Sequence, residues 1–324
     1  MKEILNTASQ QFISDRDMMK DIFKWENTYI IPVSAMMLKG KADEEKIQYC
    51  KKLVKKNKGV FSGFRGNVLL PLVAKLALDP SPDEKLEKIS KIYDALKKYF
   101  FGNESLVFTA TLLADIISPE EAMEVSAKGK QIYKLMSKEH PFLTSSEDNV
   151  FAVLMALSEK SEKALITEME DCYKYLKKPF GSGNSVQTLS HILSLADGDY
   201  KEKSQRIVDI YNGLKDEGRK YSKYFELSVL ASLALTDMSV NEIVSDILDV
   251  DAFLSEQEGY GFWSIDKKTR LMHSAMIVAG VYADSETINA AVVTGTLAML
   301  AAQQAAMLVT ISASSASAAA ASSN

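Results

Sequence analysis

SPDEKLEKISKIYDALKKY, residues 81–99, sets Leu86, Ile89, Tyr93 and Leu96 on one face of a helix, because its apolar positions recur three or four apart among lysines and glutamates. Its central pentapeptide returns along the chain. IYDAL at Ile92–Leu96 is followed by IYKLM at Ile132–Met136, CYKYL at Cys172–Leu176 and IYNGL at Ile210–Leu214. The tyrosines at 93, 133, 173 and 211 are separated by 40, 40 and 38 residues, a period that suits a two-helix repeat.

Working outward, each such outer helix leads into an aromatic-bearing turn: FSGFRG from Phe61, FFGN from Phe100, PFLTSSEDN from Pro141, PFGSGN from Pro179 and YGFWS from Tyr260. A shorter, nearly all-apolar inner helix follows, as in LVFTATLLADI, VFAVLMALS, VQTLSHILSLA and LMHSAMIVAG. Small residues close it at Ala77, Ala114, Ser158, Ala196 and Ala234, which lets neighbouring helices approach. The register extends back through DEEKIQYCKKL, where Cys50 replaces the tyrosine, to TYIIPVSAMML, and forward through VNEIVSDILDVDAFL, giving about seven units. Serines preceding acidic first turns, at Ser81, Ser118 and Ser239, fit N-caps.

The pattern predicts an all-α protein of tandem helical hairpins of about 40 residues, forming a curved α/α superhelix or one closed into an α/α toroid. One helical-repeat domain is expected over 1–313, with a disordered Ser/Ala-rich tail at 314–324. Within it, residues 287–311 carry no charge and have the length of a membrane span. Gln303, Gln304 and Asn289 dilute that segment, so a buried terminal helix is the preferred reading and a membrane anchor the alternative.

Composition sets outer bounds on function. The 324 residues are 47% apolar and 25% charged, which permits a sizeable core. With 43 acidic against 38 basic residues the net charge is −5, so no long-range positive field draws nucleic acid or anionic lipid. Cys50 and Cys172 lack metal-site or disulfide spacing, and the opening residues lack the apolar run of a secretory signal, which together predict a cytoplasmic protein.

Chemistry-bearing motifs are sparse. In QEGYGFWS, Gln257, Gly261 and Trp263 match the Q-x3-G-x-W turn of squalene and hopene cyclases, but the aspartate-rich acid motif those enzymes need does not occur. Tyr260 and Trp263 then read as the aromatic turn of the last repeat, equivalent to Phe61, Phe101 and Phe180. His191 and His273 fall at nearly the same place in their inner helices and read as buried imidazoles; no metal site or cofactor motif is evident. GSGN at Gly181 follows a helix rather than a strand, which makes it a turn and not a phosphate cradle. Charged runs such as KKLVKKNKG read as solvated faces.

From EGYGFWSIDKKTRLMHSAM through AAQQAAM, and in its IYDAL-type segments, the chain resembles a family of bacterial proteins carried under a domain-of-unknown-function label. That resemblance implies no activity, substrate or catalytic residue. Two functions remain in view. One is a scaffold binding a protein or peptide partner, with Phe64, Arg65 and Asn67 at the mouth of an inner helix as contact residues. The other is a toroid enzyme or binder of a carbohydrate or isoprenoid-like ligand, with its site at the inner-helix mouth. It would use Glu104, Asp115 or Asp148 as paired acids beside Tyr260 and Trp263, with His191 and His273 facing the cavity.

Overall fold

The computed structural model describes residues 1–23, 38, 40–56, 69–260 and 265–282. Among them are thirteen α-helices and no strand. The helices are α1 (Glu3–Phe23), α2 (Glu44–Lys56), α3 (Leu69–Leu78), α4 (Pro82–Leu96), α5 (Glu104–Leu113), α6 (Ala122–Glu139) and α7 (Asn149–Ala156). They continue as α8 (Glu162–Phe180), α9 (Asn184–Leu195), α10 (Tyr200–Asp216), α11 (Val229–Ala234), α12 (Val240–Ser255) and α13 (Lys267–Tyr282). The segments 287–311 and 314–324 lie outside the described residues, within which no helix is long and apolar enough to cross a membrane.

The chain forms two compact units, one of Asp15–Leu157 and one combining Met1–Ser14 with the described residues from Ser158 onward. In the first, α2/α3, α4/α5 and α6/α7 are hairpins; α2, α4 and α6 pack side by side as an outer layer, and α3, α5 and α7 as an inner one. The second repeats the plan: hairpins α8/α9, α10/α11 and α12/α13, an outer layer of α8, α10 and α12, and an inner layer of α9, α11 and α13. Like packs on like, which is solenoid stacking within each unit.

Local chemistry explains where the helices start. The Asn103 side chain accepts from Leu106 N, Ser161 from Ala164 N and Asp199 from Lys201 N and Glu202 N. Ser239 and Glu242 form a reciprocal capping box at α12. Leu86, Ile89, Tyr93 and Leu96 are all buried on the inner face of α4. The small residues Ala77, Ala114, Ser158, Ala196 and Ala234 are buried at the ends of the inner helices. Two inner helices are entered through a 3-10 turn, Ser146–Asp148 before α7 and Phe225–Ser228 before α11.

Two devices recur from hairpin to hairpin. The first uses the repeated tyrosine to hold turns: the Tyr133 hydroxyl donates to Ser145 O at 3.0 Å, and the Gly183 backbone N–H lies beside the Tyr173 hydroxyl. The preceding turn's phenylalanine then packs edge-on against the next tyrosine, Phe100 on Tyr133 at 6.0 Å and Phe180 on Tyr211 at 5.2 Å between ring centroids. The second device uses cations of the outer layer. The last carbonyls of an inner helix have no partner within that helix, and a lysine or arginine reaches across to them. Lys46 Nζ donates to Asp79 O at 2.8 Å, Lys85 Nζ to Ala114 O at 3.3 Å, Lys160 and Lys203 to Ala196 O at 2.8 and 2.6 Å, and Arg206 to Thr236 O at 2.9 Å.

Candidate functional site

The outer helices sort their charges. Acids occupy first turns, as at Asp83 and Glu84, Glu162, Glu202 and Glu242. Bases occupy last turns, as at Lys138, Lys177 with Lys178, and Lys215. Each arrangement complements the helix dipole. The consequence at α6, α8 and α10 is a set of bases beside the turn that joins the outer helix to its inner partner, despite the acidic balance of the whole chain.

In the unit that combines Met1–Ser14 with the residues from Ser158 onward, this chemistry gathers around a cleft of about 950 Å³. Its walls are the turn after α8 (180–186), the turn after α10 (215–224) and the first turn of α13. Among the described residues, five cations line it, Lys215, Arg219, Lys220, Lys223 and Lys268, and no carboxylate does. Among the described residues, Lys215, Lys220 and Lys268 have no carboxylate within ion-pair distance, so their charge is directed at solvent. Lys223 is fixed: its Nζ donates to Pro179 O at 2.8 Å and stands over the Phe180 and Tyr211 rings at 5.8 and 5.6 Å.

Arg219 is steered from behind. Buried Asp251 of α12 accepts from Arg270 Nε at 2.7 Å and Nη2 at 3.3 Å, and its Oδ2 also lies 3.8 Å from Arg219 Nη2. The acid therefore positions Arg219 without entering the cleft. Tyr221 is buried, and its hydroxyl donates to Glu226 O at 2.9 Å. Burial, with the Glu226 charge adding to it, pushes that phenol well above its usual value, so it stays neutral and braces the turn. Tyr224, 74% exposed, overhangs the rim. Gly183 is the N-cap of α9 and no side chain caps that helix, so the GSGN turn contributes backbone N–H groups to the wall. The set is one for recognising anions beside aromatic surface.

The residues singled out in the sequence are dispersed. Phe64, Arg65, Asn67 and Trp263 lie outside the described residues. Glu104 opens α5. Asp115 follows the end of α5, where Lys75 Nζ sits at 2.5 Å and Lys85 also pairs with it. Asp148 precedes α7 and accepts from Ser145 N at 2.7 Å. The starts of α5 and α7 are tied by Ser105 Oγ donating to Asn149 Oδ1 at 3.0 Å, so these helices run in the same direction. Asp115 and Asp148 therefore stand at opposite ends of the inner layer, about 15 Å apart for ten helical residues. The two acids are not brought together. Tyr260 and His273 are: the hydroxyl and Nδ1 are 3.0 Å apart, both side chains are buried, and the imidazole braces the last turn. His191 is buried within α9.

Sequence reading passed over the cleft because its walls come from three segments spread between Phe180 and Lys268, with the cations in two of them, 215–224 and the first turn of α13, and only the stacking of hairpins unites them. The available signal was the basic and aromatic character of GRKYSKY at 218–224.

The sequence model of a family described as "Protein of unknown function (DUF4003)" matches residues 17–306. A relative from Bacillus subtilis (strain 168), "Uncharacterized protein YeaA", is 22% identical over 306 residues, covering 88% of this chain and 91% of that protein. No solved structure matches.

Proposed function

Because the chain belongs to the DUF4003 family, whose description states no activity, we propose a function from the site alone: a helical-repeat binding module that captures an acidic segment of a protein or peptide partner in the basic cleft. The observation that carries this reading is the convergence of Lys215, Arg219, Lys220, Lys223 and Lys268 with no lining carboxylate among the described residues. Like charges gathered on one wall repel one another, and an incoming anion relieves that repulsion. The aromatic surface of Phe180, Tyr211 and Tyr224 suits apolar side chains interleaved with the acids of a peptide. A cleft lined by long flexible cations and open to solvent favours an extended segment over a small rigid ligand. The cytoplasm is the proposed setting, where the buried thiols of Cys50 and Cys172 stay reduced.

Fluorescence anisotropy with a labelled peptide of alternating glutamate and leucine, against its lysine counterpart, tests the reading. Tight binding of the acidic peptide only, weakened about tenfold or more by the Arg219→Glu, Lys220→Glu double variant and by added salt, is expected. Equal binding of both peptides, or indifference to the double variant, overturns it. Displacement of the peptide by low concentrations of pyrophosphate would move the assignment to a small phosphorylated ligand.

A further inference from the structure

We propose that the anion the cleft takes from its partner is a phosphomonoester on a peptide side chain, with the Arg219 guanidinium as its fork and Lys215, Lys220 and Lys268 closing on its oxygens. The inference rests on the reading of the cleft as a site for an acidic segment, and it names the charged group which that segment carries. At contact distance the charge on the wall is uncompensated. Asp251 is spent on Arg270, which donates to its two oxygens at 2.7 and 3.3 Å, while Arg219 Nη2 stands 3.8 Å from Oδ2, beyond hydrogen-bond reach. Lys223 rests on the neutral carbonyl of Pro179. Lys215, Lys220 and Lys268 are exposed and, among the described residues, have no acid within ion-pair distance.

The backbone fixes how these cations are presented. Gly218, at φ 73°, reverses the chain after α10: its N–H donates to Lys215 O at 2.9 Å, and the Arg219 N–H donates to Leu214 O at 2.8 Å. Tyr221 and Ser222 then turn inward and are buried. The Tyr221 hydroxyl donates to Glu226 O at 2.9 Å and the Tyr224 N–H to Ser222 Oγ at 3.3 Å, which leaves Arg219, Lys220 and Lys223 outward. Lys268 comes from another element. It shares the first turn of α13 with Lys267, a turn that holds no acid, although the positive end of a helix dipole disfavours cations there. Residues kept against such a local preference concentrate at functional sites, and an anion in the cleft offsets this one.

The acids of the same turns select concentrated charge over distributed charge. Asp216, Glu217, Glu256 and Glu258 are exposed and do not line the cleft, and Glu226 is buried outside its lining. Asp266 is committed to the start of α13, where it accepts from the Lys268 N–H at 2.9 Å and from Thr269 Oγ1 at 2.6 Å. A string of carboxylates long enough to meet four cations also approaches the exposed acids, and that repulsion takes back part of the attraction. A phosphomonoester instead sets a charge of about −1.5 to −2 and three acceptor oxygens at one point. The planar fork of an arginine matches two of those oxygens, and flexible lysines reach the third. Phe180, Tyr211 and Tyr224 remain for apolar residues on either side of the phosphorylated one.

The test is fluorescence anisotropy of the full chain with three labelled peptides of glutamine and leucine that differ only at their centre. One carries a phosphoserine, one an unmodified serine, and one two adjacent glutamates, which match the phosphoserine in charge. The phosphoserine peptide should bind at least about tenfold more tightly than the two-glutamate peptide, and the serine peptide should not bind. Arg219→Lys keeps the charge and removes the fork, so it should bring the two anionic peptides to within about threefold of each other. Lys220→Gln should weaken both. Both side chains are exposed, so thermal melts of the two variants should match the parent. Equal binding of the two anionic peptides overturns this inference and leaves the acidic-segment reading standing, whereas binding of neither overturns both. Retention of the phosphoserine preference in Arg219→Lys removes Arg219 from the role and overturns the inference as stated. Displacement by inorganic phosphate or free phosphoserine at concentrations close to that of the peptide also overturns it, assigning the cleft to a small phosphorylated ligand.

Discussion

Gly129 lies buried in α6 where that helix crosses α7, and replacing it by alanine should destabilise the protein although alanine is the better helix former. A Cβ there would stand 3.0 Å from Val153 Cγ2, 3.1 Å from Val153 Cα and 3.5 Å from Ala152 O. Comfortable carbon–carbon contact begins near 3.5 Å, so the backbone of α7 must retreat by roughly 0.5 Å along a packed seam. Overpacking of this kind costs about 1–3 kcal/mol, whereas the propensity gain from glycine to alanine is about 1 kcal/mol. A net loss of about 1 kcal/mol follows, lowering the urea midpoint by about 0.3–0.5 M for a slope of 2–3 kcal/mol/M. The assay is equilibrium urea unfolding followed by helical circular dichroism. Gly213→Ala is the informative comparison: its Cβ would meet Val244 Cγ2 at 2.8 Å but nothing else closer than 3.9 Å. Val244→Ala should therefore relieve Gly213→Ala, whereas Val153→Ala should not rescue Gly129→Ala, because the Val153 Cα remains. A Gly129→Ala protein as stable as the parent, or full rescue by Val153→Ala, would refute the claim that backbone approach sets this crossing.

Two further outcomes follow from ionisable groups. Burial alone would raise the Asp115 carboxyl, but Lys75 and then Lys85 outweigh it and hold its folded value below the usual carboxylate range. A depressed carboxylate stabilises the fold above its unfolded value, near pH 4, and loses that contribution as pH falls through the folded value. The stability gap between the parent and Asp115→Asn, about 1 kcal/mol for this two-lysine network, should be flat above about pH 5 and close below about pH 4 in thermal melts. A gap that widens with acid would contradict the pairing. Burial pushes the Cys172 thiol up to about 11, so iodoacetamide at pH 8 should leave it unmodified in the folded protein and label it in urea. Native labelling at the unfolded rate would show that the α8 face is open.

The recurring lysine and arginine contacts with inner-helix ends bear on how such a chain tolerates its own architecture. Lys46, Lys85, Lys160, Lys203 and Arg206 all spend charge on backbone carbonyls, and Lys75 and Lys85 share Asp115. Several charged residues that look like a solvated outer face are therefore held by the ends of apolar helices. Lys215 and Lys220, which have no such partner, are where the chain directs charge outward into the cleft.

The sequence by itself determined the helical class, the alternation of charged outer and apolar inner helices, and the period, because helical spacing and turn residues are local properties of the chain. Tyr93, Tyr133, Tyr173 and Tyr211 fixed the register before any coordinate was needed, and each falls in an outer helix. The segments TYIIPVSAMML and 287–311, Phe64, Arg65, Asn67 and Trp263 lie outside the described residues. Only tertiary structure decided that Asp115 is committed to two lysines while Asp148 closes a turn at the other end, and that Lys215, Arg219 and Lys268 share one wall. The physical reason is that a repeat specifies its own helices through neighbours three and four residues away. What meets across hairpins depends on which end of each helix the stacking brings alongside, and residues 40 to 80 apart carry no mutual signal in a single sequence.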